Sequence, residues 1–195
     1  SASYPISVVV NANPATPVIT ANETSGISNN DGKTCTGAAV SLTGPSGAST
    51  YTWSNSGGTS QTSLTFNPAT TTSYALTVSN ASSCTASNTY TVTVDTKPAL
   101  ATSGGDVVIC SNAAPAILTA SNSGNLIDWY ANSSGGTALT AGSDTYSTST
   151  AGTYYAETRI ASTGCVSNSR ATIVLTINSN PSEPNRGGNV TLCAH

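Results

Sequence analysis

The sequence contains no methionine, one histidine, one phenylalanine and two tryptophans among 195 residues, and only 7% of its residues are charged. Each scarcity excludes something. With no Lys/Arg patch and a formal net charge of −3, the chain cannot neutralise a run of phosphates, so nucleic acid is not an expected partner. No apolar run approaches the roughly 20 residues that cross a bilayer, so membrane insertion is not expected, and nothing resembles a signal peptide. His195 is the last residue, with no neighbour to orient it as a base or a metal ligand. The five cysteines, Cys35, Cys84, Cys110, Cys165 and Cys193, lie far apart. That excludes a Cys-x-x-Cys metal or redox motif and points to an oxidising compartment. No cofactor is expected. With no initiator methionine, the chain is expected to be a processed or cloned fragment.

What fills the sequence instead is Ser, Thr, Asn and Gly, punctuated by short alternating runs of Val, Ile, Thr and Tyr. Disordered chains carry high net charge and few β-branched residues, so these polar residues read as the wet faces and turns of an all-β protein. Three segments align without gaps: Ser7 to Pro14 (SVVVNANP), Thr91 to Pro98 (TVTVDTKP) and Val174 to Pro181 (VLTINSNP). Each is an alternating strand closed by a proline that cannot donate to a ladder. A second ungapped match sets Pro98–Cys110 against Pro181–Cys193, placing Gly104-Gly105 on Gly187-Gly188 and Cys110 on Cys193. The expected organisation is therefore repetitive. Residues 1–12 are the last strand of a preceding repeat, 13–96 and 97–179 are two complete units, and 180–195 begin another.

Alternation predicts strands near Val18–Ala21, Ala39–Thr43, Thr50–Ser54, Ser63–Phe66, Ser73–Ser79 and Thr89–Val94 in the first unit. In the second it predicts Val107–Ile109, Ala116–Ala120, Leu126–Tyr130, Thr145–Ser147, Thr153–Ile160 and Ala171–Ile177. Turns such as Ser56-Gly57-Gly58 and Ser134-Gly135-Gly136 separate them. No segment holds a helical period, and this density of short strands describes a β-sandwich.

Trp53 in YTWSN and Trp129 in IDWYA stand where the core tryptophan of an immunoglobulin-like third strand belongs, and Tyr74 and Tyr154 look like the tyrosine that opens the sixth. Two residues beyond those tyrosines come Leu76 and Ala156, apolar where the usual inter-sheet disulfide would be. With the closing TVTV-x-x-x-P, this pattern resembles the tandem immunoglobulin-like and PKD-like repeats of giant surface proteins in Bacteroidetes. Those include gliding-motility adhesins and other cargo of the type IX secretion system, whose C-terminal sorting domain is not recognised here. The resemblance implies tandem immunoglobulin-like sandwiches arranged end to end, with Trp53, Tyr74, Leu76, Trp129, Tyr154 and Ala156 in their cores. It implies a structural stalk or rod of a secreted or cell-surface adhesin or extracellular filament. Its partners are then neighbouring repeats of the same chain or filament. The alternative is a non-catalytic carbohydrate-binding accessory module of a secreted protein, with surface glycans as partners.

Residues with chemical potential each carry a plainer reading. Glu23, Asp31, Asp95, Asp106, Asp128, Asp144, Glu157 and Glu183 are scattered singly, with no acid–base pair standing out, so catalysis is not expected. Asn29-Asn30-Asp31-Gly32 offers oxygens to calcium but lacks the spaced carboxylates of a known loop, and it reads as a turn. The tryptophans read as core rather than as sugar platforms, whereas Tyr51, Tyr130 and Tyr155 are the candidates for surface stacking. Thr-x-Thr runs such as Thr89–Val94 suggest an ice-binding ladder or, more plainly, an exposed strand face. The sequons at Asn22, Asn80, Asn132 and Asn189 arise readily by chance in this composition.

The cysteines leave two pairings open. Two per repeat suggests Cys35–Cys84 and Cys110–Cys165, with the partner of Cys193 outside this sequence. In an immunoglobulin-like topology, however, Cys35 and Cys110 fall at one end of their sandwich and Cys84 and Cys165 at the other. A strand of about seven residues spans roughly 23 Å, and a disulfide tolerates a Cα separation of about 4.4–6.8 Å. A head-to-tail array would instead allow an interdomain Cys35–Cys165 bond, leaving Cys84, Cys110 and Cys193 to other repeats.

Overall fold

Strict alternation of inward and outward side chains dictates strands wherever one face has a core to cover. The structure, a computed structural model, describes residues 4–55, 61–183 and 187–188. By packing, the chain divides into two compact units, residues 1–99 with 158–168 and residues 100–157 with 169–195. The hairpin tip 158–168 is thus part of the first unit.

The first unit holds β1 (Thr20–Glu23), β2 (Lys33–Cys35), β3 (Val40–Thr43), β4 (Thr50–Trp53), β5 (Ser63–Phe66), β6 (Thr72–Ser79) and β7 (Thr85–Asp95). Its two sheets run β1-β3-β5 and β2-β7-β6-β4. Ile19, Ala21, Val40, Leu42, Tyr51, Trp53, Tyr74, Leu76, Val78 and Val92 fill the space between them, with Leu64 and Phe66 packed at the margin. The remaining strands are β8 (Thr102–Ser103), β9 (Val107–Cys110), β10 (Ala116–Ser121), β11 (Leu126–Tyr130), β12 (Thr145–Thr148), β13 (Gly152–Arg159) and β14 (Ala171–Asn178). They form the sheets β8-β10-β12 and β9-β14-β13-β11, closing over Leu118, Ile127, Trp129, Tyr154, Ala156, Ile173 and Leu175. The protein is all-β, and in each unit two sheets pack face to face as a sandwich.

Trp53 and Trp129 are 1% and 0% exposed. Their indole N–H groups donate to the Gln61 carbonyl at 3.0 Å and the Ser143 carbonyl at 2.8 Å, which satisfies the polar atom each ring brings into the core. Tyr154 is held in the same way, its hydroxyl donating to the Thr150 carbonyl at 2.8 Å.

The structure departs from the expected strands in two ways. The first strand of each unit is double. β1 and β8 join one sheet, whereas β2 and β9 cross to the other and run parallel to β7 and β14. Alternation found the first member in one unit and the second in the other, because strands of two or three residues carry too little pattern to read. Residues 4–19 form no strand although Ile6, Val8 and Val10 alternate; all three are exposed, because no neighbouring ladder pairs with them. Ser1–Ser3, the turn Ser56-Gly57-Gly58, and residues 184–186 and 189–195, including Cys193 and His195, lie outside the described residues.

Candidate functional site

The chemistry that distinguishes this molecule gathers at the end of β2. Lys33, Thr34 and Cys35 pair with Thr93, Val94 and Asp95, so Cys35 lies beside the last residue of β7. The entry into β2 is narrow. Gly32 has φ +75, and a Cβ there would meet the Thr91 carbonyl oxygen at 2.9 Å, so glycine is required on both grounds. Glu23, 7% exposed, folds the preceding loop onto β1: its carboxylate accepts the Asn30 N–H at 2.5 Å and the Gly32 N–H at 3.1 Å. Asn29 and Asn30 complete the tie, their side-chain oxygens accepting the N–H groups of Glu23 at 2.8 Å and Ala21 at 2.7 Å. Ser25 reaches over β2, its hydroxyl accepting the Cys35 N–H at 2.9 Å. The loop oxygens once considered for calcium are thus engaged by the backbone of the loop and of β1.

Opposite stands the tip of the β13–β14 hairpin. The Cys165 carbonyl accepts the Ile160 N–H at 2.9 Å and the Ile160 carbonyl accepts the Gly164 N–H at 2.8 Å, which closes a tight turn. Gly164 has φ +72, and a Cβ on it would meet Ile27 Cγ1 at 3.1 Å and the Gly26 backbone at 3.2 Å. Cys35 and Cys165 are bonded, with Cα atoms 5.6 Å apart and 130 residues between them. They are 3% and 1% exposed. Lys97 Nζ donates to Asn168 Oδ1 at 3.1 Å nearby. A shallow cleft of about 220 Å³ beside the disulfide is lined by Ile27, Ser28, Asp31, Lys33, Asp95, Ser162 and Thr163.

The other expected pairing is not formed. Cys84 and Cys110 are free thiols, the first half-buried and the second exposed. The reason is strand length. Cys84 immediately precedes β7, and Cys35 pairs with its far end; the 11 residues between span roughly 36 Å. Cys110 pairs with Asn178 at the far end of β14, while Cys165 precedes its start, so those 8 residues span about 26 Å.

Five of the acidic residues serve the fold. Besides Glu23, Asp31 accepts the Lys33 N–H at 2.9 Å, Asp106 the Val174 N–H at 2.8 Å and Asp128 the Gly142 N–H at 2.8 Å, while Glu157 pairs with Arg170 at 3.2 Å. Arg170 also lies 3.3 Å from the centroid of the Tyr130 ring, covering one of the expected stacking tyrosines. Tyr51 corrects the surface reading. It shares the parity of Trp53 on β4, so both point inward; Tyr51 is 8% exposed and its hydroxyl donates to the Pro45 carbonyl at 2.8 Å. Tyr155 is half-buried. The Ser/Thr faces of β4, β6 and β7 are joined by cross-strand hydroxyl contacts, Thr50–Ser79 at 2.7 Å, Ser73–Thr91 at 2.8 Å and Thr77–Ser87 at 2.9 Å. Burial, followed by the charges of Glu23 and Asp31, raises the Tyr90 phenol above its ordinary value. Glu23 is not simply one of the scattered acids, since its parity with Ala21 on β1 turns it inward.

Residues 97–179 match the family model of the Ig-like domain, CHU_C associated. This stretch is similar to that family. Among solved structures, the chain is similar to the fibronectin(III)-like modules of Clostridium thermocellum CbhA, at 11% identity and TM-score 0.48, over 88% of this chain and 100% of that one. It is also similar to the N-terminal four Ig domains of Dscam1 isoform 8.4 (13% identity, TM-score 0.32, 86% of this chain and 48% of that one). The titin domains z1z2 in complex with telethonin give 14% identity and TM-score 0.28, over 83% of this chain and 98% of that one. The chain spans about half the length of the Dscam1 structure it matches. No curated protein matches the chain. Among the described residues, no helix is long and apolar enough to cross a membrane.

Proposed function

We propose that the chain is a stretch of extracellular stalk, in which Ig-like repeats bounded at 13–96 and 97–179 are joined end to end and locked by disulfides from one repeat to the next. The observation that carries this reading is the Cys35–Cys165 bond. Its two cysteines occupy opposite ends of the repeat pattern, one at the end of the short parallel strand and the other in the turn before the last strand. A bond between such positions couples the trailing end of one repeat to the leading end of its neighbour and bypasses the Thr96-Lys97-Pro98-Ala99 connection. Pro98 in that connection removes a backbone donor and limits its freedom. A stalk with a second covalent link at each joint resists bending and remains connected if a linker is cut. Its role is mechanical and non-catalytic, and Glu23, Asp31, Asp106 and Asp128 hold backbone N–H groups in keeping with that role. Neighbouring repeats are its partners, and the oxidised cysteines fit a secreted or surface location.

Small-angle scattering and non-reducing peptide mapping test this together. The oxidised chain is expected to yield a Cys35–Cys165 cross-linked peptide and an elongated particle with a narrow spread of dimensions. Replacing both cysteines by serine should broaden that spread and lower stability by about 2–4 kcal/mol. A side-by-side particle, or a profile unchanged by the double substitution, would overturn the stalk.

A further inference from the structure

We infer that Cys84 and Cys110 are the two open halves of the same joint, and that each bonds a further repeat of this kind through the geometry of Cys35–Cys165. The inference rests on the stalk reading and extends it to two thiols that are free among the described residues. The equivalence is structural. Cys35 ends β2 and pairs with Asp95 at the end of β7; Cys110 ends β9 and pairs with Asn178 at the end of β14. Both short strands are parallel to the last strand of their sheet. On the other side, the Cys165 carbonyl accepts the N–H of Ile160, the first residue after β13, at 2.9 Å. The Cys84 carbonyl accepts the N–H of Asn80, the first residue after β6, at 3.1 Å. Cys84 therefore holds the hairpin position of Cys165, and Cys110 the strand-end position of Cys35. In both cases the bonded cysteines demonstrate what the position does. Their complementarity gives direction: Cys110 of one copy matches Cys84 of the next, never Cys84 with Cys84.

The bond forms by thiol–disulfide exchange with a small disulfide oxidant such as oxidised glutathione. The Cys110 thiolate attacks one glutathione sulfur and expels a glutathione thiolate. The Cys84 thiolate of a second chain then attacks the Cys110 sulfur of the mixed disulfide and expels the second. Two protein thiols are oxidised to one disulfide, and one oxidised glutathione is reduced to two thiols, which carry away the two protons.

The test uses the full chain carrying Cys193→Ser, with a second copy of the chain as the neighbouring repeat. In a glutathione redox buffer at high protein concentration it should form a reducible ladder of oligomers, whose digest contains a Cys84–Cys110 peptide. Adding Cys84→Ser or Cys110→Ser should abolish every species beyond a dimer. Mixing those two variants should produce a heterodimer as the dominant product, with each homodimer minor. Homodimers as abundant as the heterodimer would mean indiscriminate oxidation and would overturn the inference. So would thiols capped by glutathione with no bond between chains. The same digest separates the two levels: a present Cys35–Cys165 peptide with no Cys84–Cys110 bond sinks this inference alone, and absence of both sinks the stalk.

Discussion

The two sandwiches share strand order, a parallel short strand and a buried tryptophan tied to a carbonyl, yet they differ in how the chain reaches that short strand. In the first, residues 24–32 make a wide loop that a buried Glu23 and two asparagines fold back onto β1. In the second, β8 passes to β9 through Gly104-Gly105-Asp106 alone. A Cβ on Gly104 would come within 2.9 Å of the Thr119 carbonyl, so glycine lets the short route fit. The hairpin before the last strand differs in the opposite sense. Five residues, 80–84, separate β6 from β7, and a longer stretch, 160–170, separates β13 from β14. The core fixes the strands because a change there leaves a void or an unpaired polar group. The ends vary, and the ends carry the cysteines.

If the cores are equivalent, truncating either one should cost the same. Trp53→Ala and Trp129→Ala are each expected to lower stability by about 3–5 kcal/mol, since a large ring is lost and its carbonyl partner is left unpaired. Chemical denaturation checks this. A loss under about 1 kcal/mol for one of the pair would show that its sandwich repacks around the gap and that the likeness of the two cores is superficial.

That likeness was readable in the sequence because tryptophan, tyrosine and alternating β-branched residues recur at matching offsets. The all-β class and the longer strands follow from that pattern. The doubled first strand does not, since β2 and β8 have three residues and two, and crossing to the other sheet leaves no mark in local periodicity. Tyr51 was misplaced for a simpler reason. It lies two residues before Trp53, so the same alternation that buries the tryptophan buries the tyrosine. The site was half legible. Strand length alone disfavours Cys35–Cys84, but the hairpin hydrogen bond that equates Cys84 with Cys165 exists only in three dimensions. The burial of Glu23 was not legible because a carboxylate normally marks an outward position.

The second prediction sharpens the difference at the strand ends. Glu23→Gln keeps the shape of the side chain but leaves one neutral acceptor oxygen where two carboxylate oxygens each took an N–H, so one contact weakens and the other is lost to an NH2 that cannot accept. The expected loss is about 2–3 kcal/mol, one charge-assisted bond made neutral and one N–H left without its acceptor. Local opening should appear first in the loop. Amide exchange at Asn30 and Gly32 should quicken, while amides of β9 in the other sandwich stay as they were. Equal exchange in both would show that Glu23 supports the whole chain rather than its own loop.

The smallest effect concerns the outer face of β11, where the second sandwich carries charge that the hydroxyl-lined face of the first lacks. Tyr130 lies under Arg170 and beside Glu157. Burial is the first cause that raises its phenol above 10.0; the Glu157 charge and hydrogen bond come next, then Asp128, and Arg170 opposes them. A raised value means that the folded chain prefers the neutral phenol. Its contribution to stability is full below the unfolded value and fades as pH rises through the folded one. Tyr74 and Tyr90, also raised, give the first sandwich the same alkaline sensitivity, with Tyr74 owing its shift to burial. Glu157→Gln removes a negative charge only from the surroundings of Tyr130. In a tyrosinate absorbance titration, the amplitude of one tyrosine among eight should therefore move to lower pH while the rest of the curve holds. If the whole curve shifted, the substitution would have loosened the fold. If nothing moved, burial would outweigh the carboxylate so far that the charged face leaves the phenol as burial alone sets it.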